Sequence, residues 1–261
     1  MRFSPLFLLC PLLMSIPSVA FAQSDTLVEG FEDVPALSAN GWVFANNSSV
    51  PAVTWGQGNV DVFAAQSGFA GDYAGVGSGS TLGDAPGETI SNWLLTPTLT
   101  LTPDSVLSFW TRTVDVPFAP DRLEVRLSTS GDSANVGVAP TDTGDFVTTL
   151  LTINPDLNTT DYPNAWTQYT LPLAGLVSTV TGRIGFRYFV EDGGVFGANS
   201  DYIGLDTLQV TAAPTVVPEA GGGVLALLGA GVLALRNGRR GYGVRRSTCP
   251  SKKPAVISPS P

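Results

Sequence analysis

The sequence predicts an all-β domain built as two antiparallel sheets packed face to face, and three observations predict it. Stretches of about six to ten residues alternate apolar and polar side chains, the pattern of strands with one buried face. Clusters of Gly, Pro, Asn and Asp separate them, as at 75–87 and 191–201, and such clusters make turns and loops. No stretch shows the 3.6-residue spacing of an amphipathic helix of ordinary length. Many alternating strands without helices bury their apolar faces by stacking one sheet on another.

Taken in order, residues 1–22 read as a secretory signal. Arg2 gives the charged start, residues 6–13 the apolar centre, and Ala20-Phe21-Ala22 the small-x-small cleavage site. About eight apolar residues flanked by prolines are too few to span a bilayer, so the chain is expected to be exported. The domain, residues 23–213, opens with strands over 26–31, 41–45 and 93–101. The next strand, 108–113, reads Ser-Phe-Trp-Thr-Arg-Thr, and Trp93 and Trp110 are expected to fill the core. In 122–128, Leu123, Val125 and Leu127 face one way while Glu124 and Arg126 face the other. Strands over 146–153 and 167–171 follow. In 183–190, Ile184, Phe186 and Tyr188 oppose Arg183 and Arg187. A strand over 202–211 closes the domain. Residues 75–83 are glycine-rich but lack the lysine of a phosphate-binding loop, and read as a linker-like loop.

Charge and composition exclude several functions. Residues 23–213 hold five arginines and no lysine against 21 acidic residues. So acidic a surface argues against nucleic acid or an anionic membrane as partner. Cys10 and Cys249 both lie outside the domain, which therefore makes no disulfide of its own. There is no histidine in the chain. That removes the usual general base, the Ser-His and Cys-His pairs, and the usual zinc ligand. Glycoside hydrolysis needs only two carboxylates about 5 to 9.5 Å apart, but among so many acids spacing alone picks out no pair. The chain is expected not to be an enzyme.

The C-terminal region combines a polar linker and motif (214–220), an apolar run with a basic cluster (221–240) and a tail expected to be disordered (241–261). The motif is Val217-Pro218-Glu219-Ala220, and Arg236, Arg239 and Arg240 form the cluster. The uncharged run 221–235 would be about 22 Å long as a helix, against about 30 Å of hydrocarbon. Arginines after it hold that end on the cytoplasmic side. This arrangement resembles the PEP-CTERM sorting signal of exopolysaccharide-producing Gram-negative bacteria. The resemblance implies a transmembrane helix before processing, and an exosortase-like enzyme as the processing partner. Ala220 stands where that signal has a second proline, and 21 residues follow Arg240. A plain C-terminal anchor is the alternative reading.

Within the domain, a second resemblance rests on Gly30-Phe31-Glu32-Asp33, Gly41-Trp42, residues 92–97 (Asn-Trp-Leu-Leu-Thr-Pro), residues 107–112 (Leu-Ser-Phe-Trp-Thr-Arg), Arg122-Leu123-Glu124-Val125 and residues 202–206 (Tyr-Ile-Gly-Leu-Asp). In this order they resemble a choice-of-anchor J domain, of the cleaved-adhesin and MAM-like jelly rolls. The resemblance implies a jelly-roll sandwich acting as a non-catalytic adhesion, binding or structural module at the cell surface or in the extracellular matrix. Surface proteins or extracellular polysaccharide are the partners expected. The alternative reading is a polysaccharide-binding module proper.

Two site expectations follow. Alternation through 202–210 puts Asp206 on the side of Leu208 and Val210, where an unpaired carboxylate is costly. In related jelly rolls the first and last strands are neighbours, and a structural calcium sits there. Glu32, Asp33, Asp72 and Asp206 are the expected hard-oxygen ligands for calcium. The alternative is that these carboxylates pair with arginines or cap turns. The loop 191–201 lacks the EF-hand spacing. Among the five tryptophans, Trp55 and Trp166 lie near loops and are the expected sugar-stacking residues.

Overall fold

The computed structural model describes residues 21–22, 25–83, 86–211 and 215–216. Most of the expected leader and the whole of 217–261 lie outside these residues, including Val217, Pro218, Glu219, Ala220 and the arginine cluster. Among the described residues, no helix is long and apolar enough to cross a membrane.

The strands are β1 (Phe21–Ala22), β2 (Asp25–Glu29), β3 (Val43–Asn46), β4 (Gly56–Gln57), β5 (Ala74–Gly77), β6 (Glu88–Leu95) and β7 (Leu99–Leu101). They continue with β8 (Val106–Thr113), β9 (Leu123–Ser128), β10 (Thr148–Ile153), β11 (Thr167–Pro172), β12 (Val180–Gly193), β13 (Tyr202–Thr211) and β14 (Thr215–Val216). The first sheet runs β10-β9-β12-β6-β3, with β7 also on β12. The second runs β11-β8-β13-β5-β4, with β2 also on β13, and β1 pairs separately with β14. Every pairing is antiparallel. The expected two-sheet antiparallel sandwich is the fold observed.

The central core lies between the sheets. Leu107 and Phe109 of β8 and Ile203, Leu205, Leu208 and Val210 of β13 meet Val125 of β9 and Ile184, Phe186 and Tyr188 of β12. Phe109 and Phe186 pack edge to face with centroids 5.2 Å apart. Each such side chain gives about 1.5–3 kcal/mol on burial. The alternation expected in β9 and β12 selects these core residues correctly.

Three expectations are corrected. The strand expected over 93–101 is two, because Pro97 has no N–H to continue the ladder. Trp93 is fully buried, but against Leu95, Val136 and Phe146 in a second, smaller cluster. Arg187, on the arginine side of β12, stacks over Trp93, which places this cluster on the outer face of the first sheet. Trp110 is only half-buried, because strand parity turns Phe109 to the core and Trp110 to the outer face of the second sheet.

Asp206 is corrected for a different reason. Thr207 has φ 46°, and the register between β13 and β8 slips between Asp206 and Gln209. This bulge resets the alternation. Ile203, Leu205, Leu208 and Val210 all reach the core, and Asp206 points the other way, to the outer face of the second sheet.

Candidate functional site

The outer face of the second sheet is covered in part by the segment 58–73. Its hinge to the sheet is aromatic. Phe63 and Tyr73 stack at 5.0 Å, and Trp166 meets them edge-on at 5.6 and 5.7 Å. The three rings converge on Gly204, where an added Cβ would lie within 3.0 Å of each. The Arg112 guanidinium lies 4.5 Å from the Phe63 centroid and donates to the Asn164 carbonyl. Trp166 donates its indole N–H to the Ala64 carbonyl at 2.8 Å. The rings therefore act as a clamp that fixes the segment on the sheet.

Beside this clamp lies an open groove of about 430 Å³, between β4, β5, the 78–80 turn and the start of β13. One wall is Tyr202, whose ring lies across the glycines of β5. A Cβ at Gly75 would fall 1.9 Å from the Tyr202 hydroxyl oxygen, so only glycine fits beneath it. The Tyr202 hydroxyl accepts from the Asn59 N–H at 3.1 Å. The floor is bare. A Cβ at Gly56 would meet nothing within 4 Å, and one at Gly79 only a Val53 methyl at 3.9 Å. Val53, Val62 and Val114 add apolar patches, and Asp201 is the single carboxylate among the lining residues. Asp201 Oδ2 accepts from the Phe118 N–H at 3.1 Å.

The expected ligand residues are distributed differently. Trp55 is 2 % exposed and donates its indole N–H to the Asn92 carbonyl, so it belongs to the core and presents no face to a sugar. Trp166 is half-buried within the clamp. Glu32 is exposed, and Asp33 caps the short 3₁₀ helix Val34–Asn40 by accepting from the Ala36 N–H at 3.1 Å. Asp72 accepts from the Phe69 N–H at 2.6 Å. Asp206 Oδ2 accepts from the N–H groups of Gln66 and Ser67 at 2.7 and 3.2 Å. Its Oδ1 accepts from the N–H and hydroxyl of Thr207. Burial holds the Asp206 carboxyl above its ordinary range, against these amides. Among the described residues, no three acidic side chains gather as a metal site. The four carboxylates expected as calcium ligands are thus each engaged separately or exposed, and are not gathered into one cluster.

Asp121 is the carboxylate that sequence reasoning missed. It is 1 % exposed and accepts from the hydroxyls of Thr113 and Tyr188 and from the Asp201 N–H. Burial raises it to about 6. A carboxyl so sealed reaches no substrate. The groove was missed because its parts are distant in sequence, yet one signal was available. Gly75, Gly77 and Gly79 recur at period two around Val76, as in a strand with one empty face.

No protein-family model matches the chain, and no curated protein matches it. Solved structures do resemble it. The K1 cleaved adhesin domain of Lys-gingipain from Porphyromonas gingivalis W83 is 24 % identical, with 71 % of this chain and 97 % of that one covered at a TM-score of 0.47. The K3 cleaved adhesin domain of the same protein is 23 % identical, with 74 % and 100 % covered at 0.46. A family 11 carbohydrate-binding module from Clostridium thermocellum, solved with a β-1,3-1,4-mixed-linked tetrasaccharide, is 14 % identical, with 76 % and 98 % covered at 0.29. At these levels of likeness no ligand or activity passes from them to this chain.

Proposed function

We propose that the protein is a non-catalytic binding module that seats an extended polysaccharide in the groove beside Tyr202. The observation that carries this reading is the bare floor at Gly56 and Gly79, held between fixed walls. A polymer can lie against backbone there, with valine methyls below its apolar faces and hydroxyl, amide and carboxylate groups beside its hydroxyls. Mostly apolar lining with a few placed polar groups is the usual make-up of a ligand site. Catalysis finds no support in the same groove. Hydrolysis of a glycosidic bond needs two accessible carboxylates, and the lining supplies Asp201 alone.

The leader-like residues 1–22 and the motif, apolar run and arginines of 217–240 support export, followed by sorting or anchoring through the C-terminal signal. We read the module as a cell-surface or matrix protein with a jelly-roll connectivity, processed by an exosortase-like enzyme. Intact-mass measurement of protein from its native host tests the processing. A mature chain ending near Val217–Ala220 is expected, and a mass that includes 221–261 means a retained anchor.

The groove itself is tested by affinity electrophoresis of the exported chain in gels cast with a panel of polysaccharides. Saturable retardation by at least one polymer is expected. In Gly79→Trp the new indole fills the groove without displacing packed side chains, so retardation should vanish while the thermal melt stays put. Retention unaffected by that substitution, or no retention by any polymer, overturns the reading.

A further inference from the structure

We infer that Phe118 is the stacking platform at the mouth of this groove, and that the polymer it receives is uncharged. The inference rests on the polysaccharide reading above and adds its chemical class. Phe118 is 95 % exposed, so its ring forgoes the stabilisation that burial of such a side chain provides. Its backbone is nevertheless fixed. The Phe118 N–H donates to Oδ2 of groove-lining Asp201, and the Ser200 N–H donates to the Pro120 carbonyl at 2.9 Å. Val114, at the start of the same connection, also lines the groove. The Phe118 backbone is therefore one hydrogen bond away from a groove-lining residue. Pyranose C–H groups carry slight positive charge and pack on the negative face of an aromatic ring. An exposed phenyl on a tethered backbone presents such a face at little entropic cost.

The charge assignment comes from the arginines. All five of the domain are committed internally. Arg112 lies on Phe63 and bonds Asp115 and Asn164, and Arg122 pairs with Glu191. Arg126 and Arg187 share Glu124, and Arg183 is taken by the Gly41 and Thr96 carbonyls. No lysine occurs in 23–213. The groove thus offers a polyanion no cation and one carboxylate, which repels it. Asp201 accepts the Phe118 N–H at Oδ2, and its Oδ1 is the oxygen this reading offers to a sugar hydroxyl.

The test is affinity electrophoresis of the full exported chain against mixed-linkage glucan and galactomannan as neutral polymers, and alginate as the anionic one, with and without added salt. Retention by a neutral polymer, indifferent to salt, and none by alginate are expected. Phe118→Ala should weaken retention about tenfold or more with an unchanged melt, and Phe118→Tyr should restore it. If Phe118→Ala binds like the parent while Gly79→Trp abolishes binding, the groove stands and this inference falls. Salt-sensitive binding of alginate overturns the charge assignment alone. Failure of all three polymers together with a wider panel removes the groove reading and the inference with it.

Discussion

The hydroxyl of Tyr188 donates to Oδ1 of Asp121 with both side chains sealed from solvent, and this bond joins the two sheets. Tyr188 belongs to β12 of the first sheet. Thr113, from β8 of the second, donates to Oδ2 of the same carboxylate at 2.6 Å. One acceptor on the connection between β8 and β9 thus ties the layers at one end of the core. The energetic consequence depends on pH. Burial lifts the Asp121 carboxyl from 3.8 to about 6, so between those values the folded chain keeps a proton that the unfolded chain has released. The stability this group contributes is full below 3.8 and is lost as pH rises through 6, about 3 kcal/mol in all.

Asp121→Asn should therefore remove that slope. The amide oxygen can accept from Tyr188 and the Asp201 N–H. The amide N–H₂ can donate to the Thr113 hydroxyl, whose own proton reaches the Tyr202 carbonyl at 3.0 Å. In urea melts at pH 4 and pH 7, the parent should lose stability relative to the variant as pH rises. Identical pH slopes for the two proteins would sink the assignment.

Arg187 is expected to carry the outer layer of the first sheet. Its guanidinium stacks over Phe189 and Trp93 at 3.8 and 4.9 Å, donates to Ser91 and Glu124 at 3.0 Å each, and holds the Pro140 carbonyl. Arg187→Ala leaves Glu124, a buried carboxylate, with Arg126 alone. Loss of one partner from a buried pair costs about 3–5 kcal/mol. Arg187→Lys should recover little, since an ammonium lacks the planar fork. Denaturant melts check the loss, and amide exchange should rise most across 135–146. A loss under about 1 kcal/mol would mean that the segment holds without this bolt.

The strands of the central core were legible because their period-two pattern survives on one face, as in Leu123, Val125 and Leu127. What was not legible arises where segments distant in sequence return to cover a sheet. Segment 58–73 roofs the outer face at Gly204, and the stretch containing Val136 and Phe146 roofs Trp93. A strand buried on both faces no longer reports which side is the core. The β13 bulge was hidden for another reason. It sits at Thr207, and a threonine gives no hint of the positive φ that a glycine would suggest. Trp55 looked like a loop residue, because β4, which follows it, is only two residues long.

Neighbours in β8 should respond unequally to truncation. Phe109 is fully buried between the sheets, stacked on Tyr169 at 5.6 Å and edge-on to Phe186. Phe109→Ala should cost about 3–5 kcal/mol. Trp110 is half-buried on the outer face, across from Gln168 and Asp206, and Trp110→Ala should cost about 1.5 kcal/mol or less. Paired urea melts compare them directly, and equal losses would contradict the strand parity.

Asp206 gives the last prediction. A carboxylate has about four lone-pair positions, and here they face the N–H groups of Gln66, Ser67 and Thr207 and the Thr207 hydroxyl, whose single proton is shared with Gln66 Oε1 at 2.7 Å. Calcium would have to displace these amides, so millimolar calcium or a chelator should leave the melting temperature unchanged. Asp206→Ala strands those donors and should cost about 2–4 kcal/mol, with faster exchange at the Gln66 and Ser67 amides. Asp206→Asn should fall only slightly short of that loss, because its N–H₂ would face N–H donors on one side. A melt that rises with calcium in the parent and not in Asp206→Ala would show the carboxylate holding a cation, and the segment at 66–67 anchored some other way.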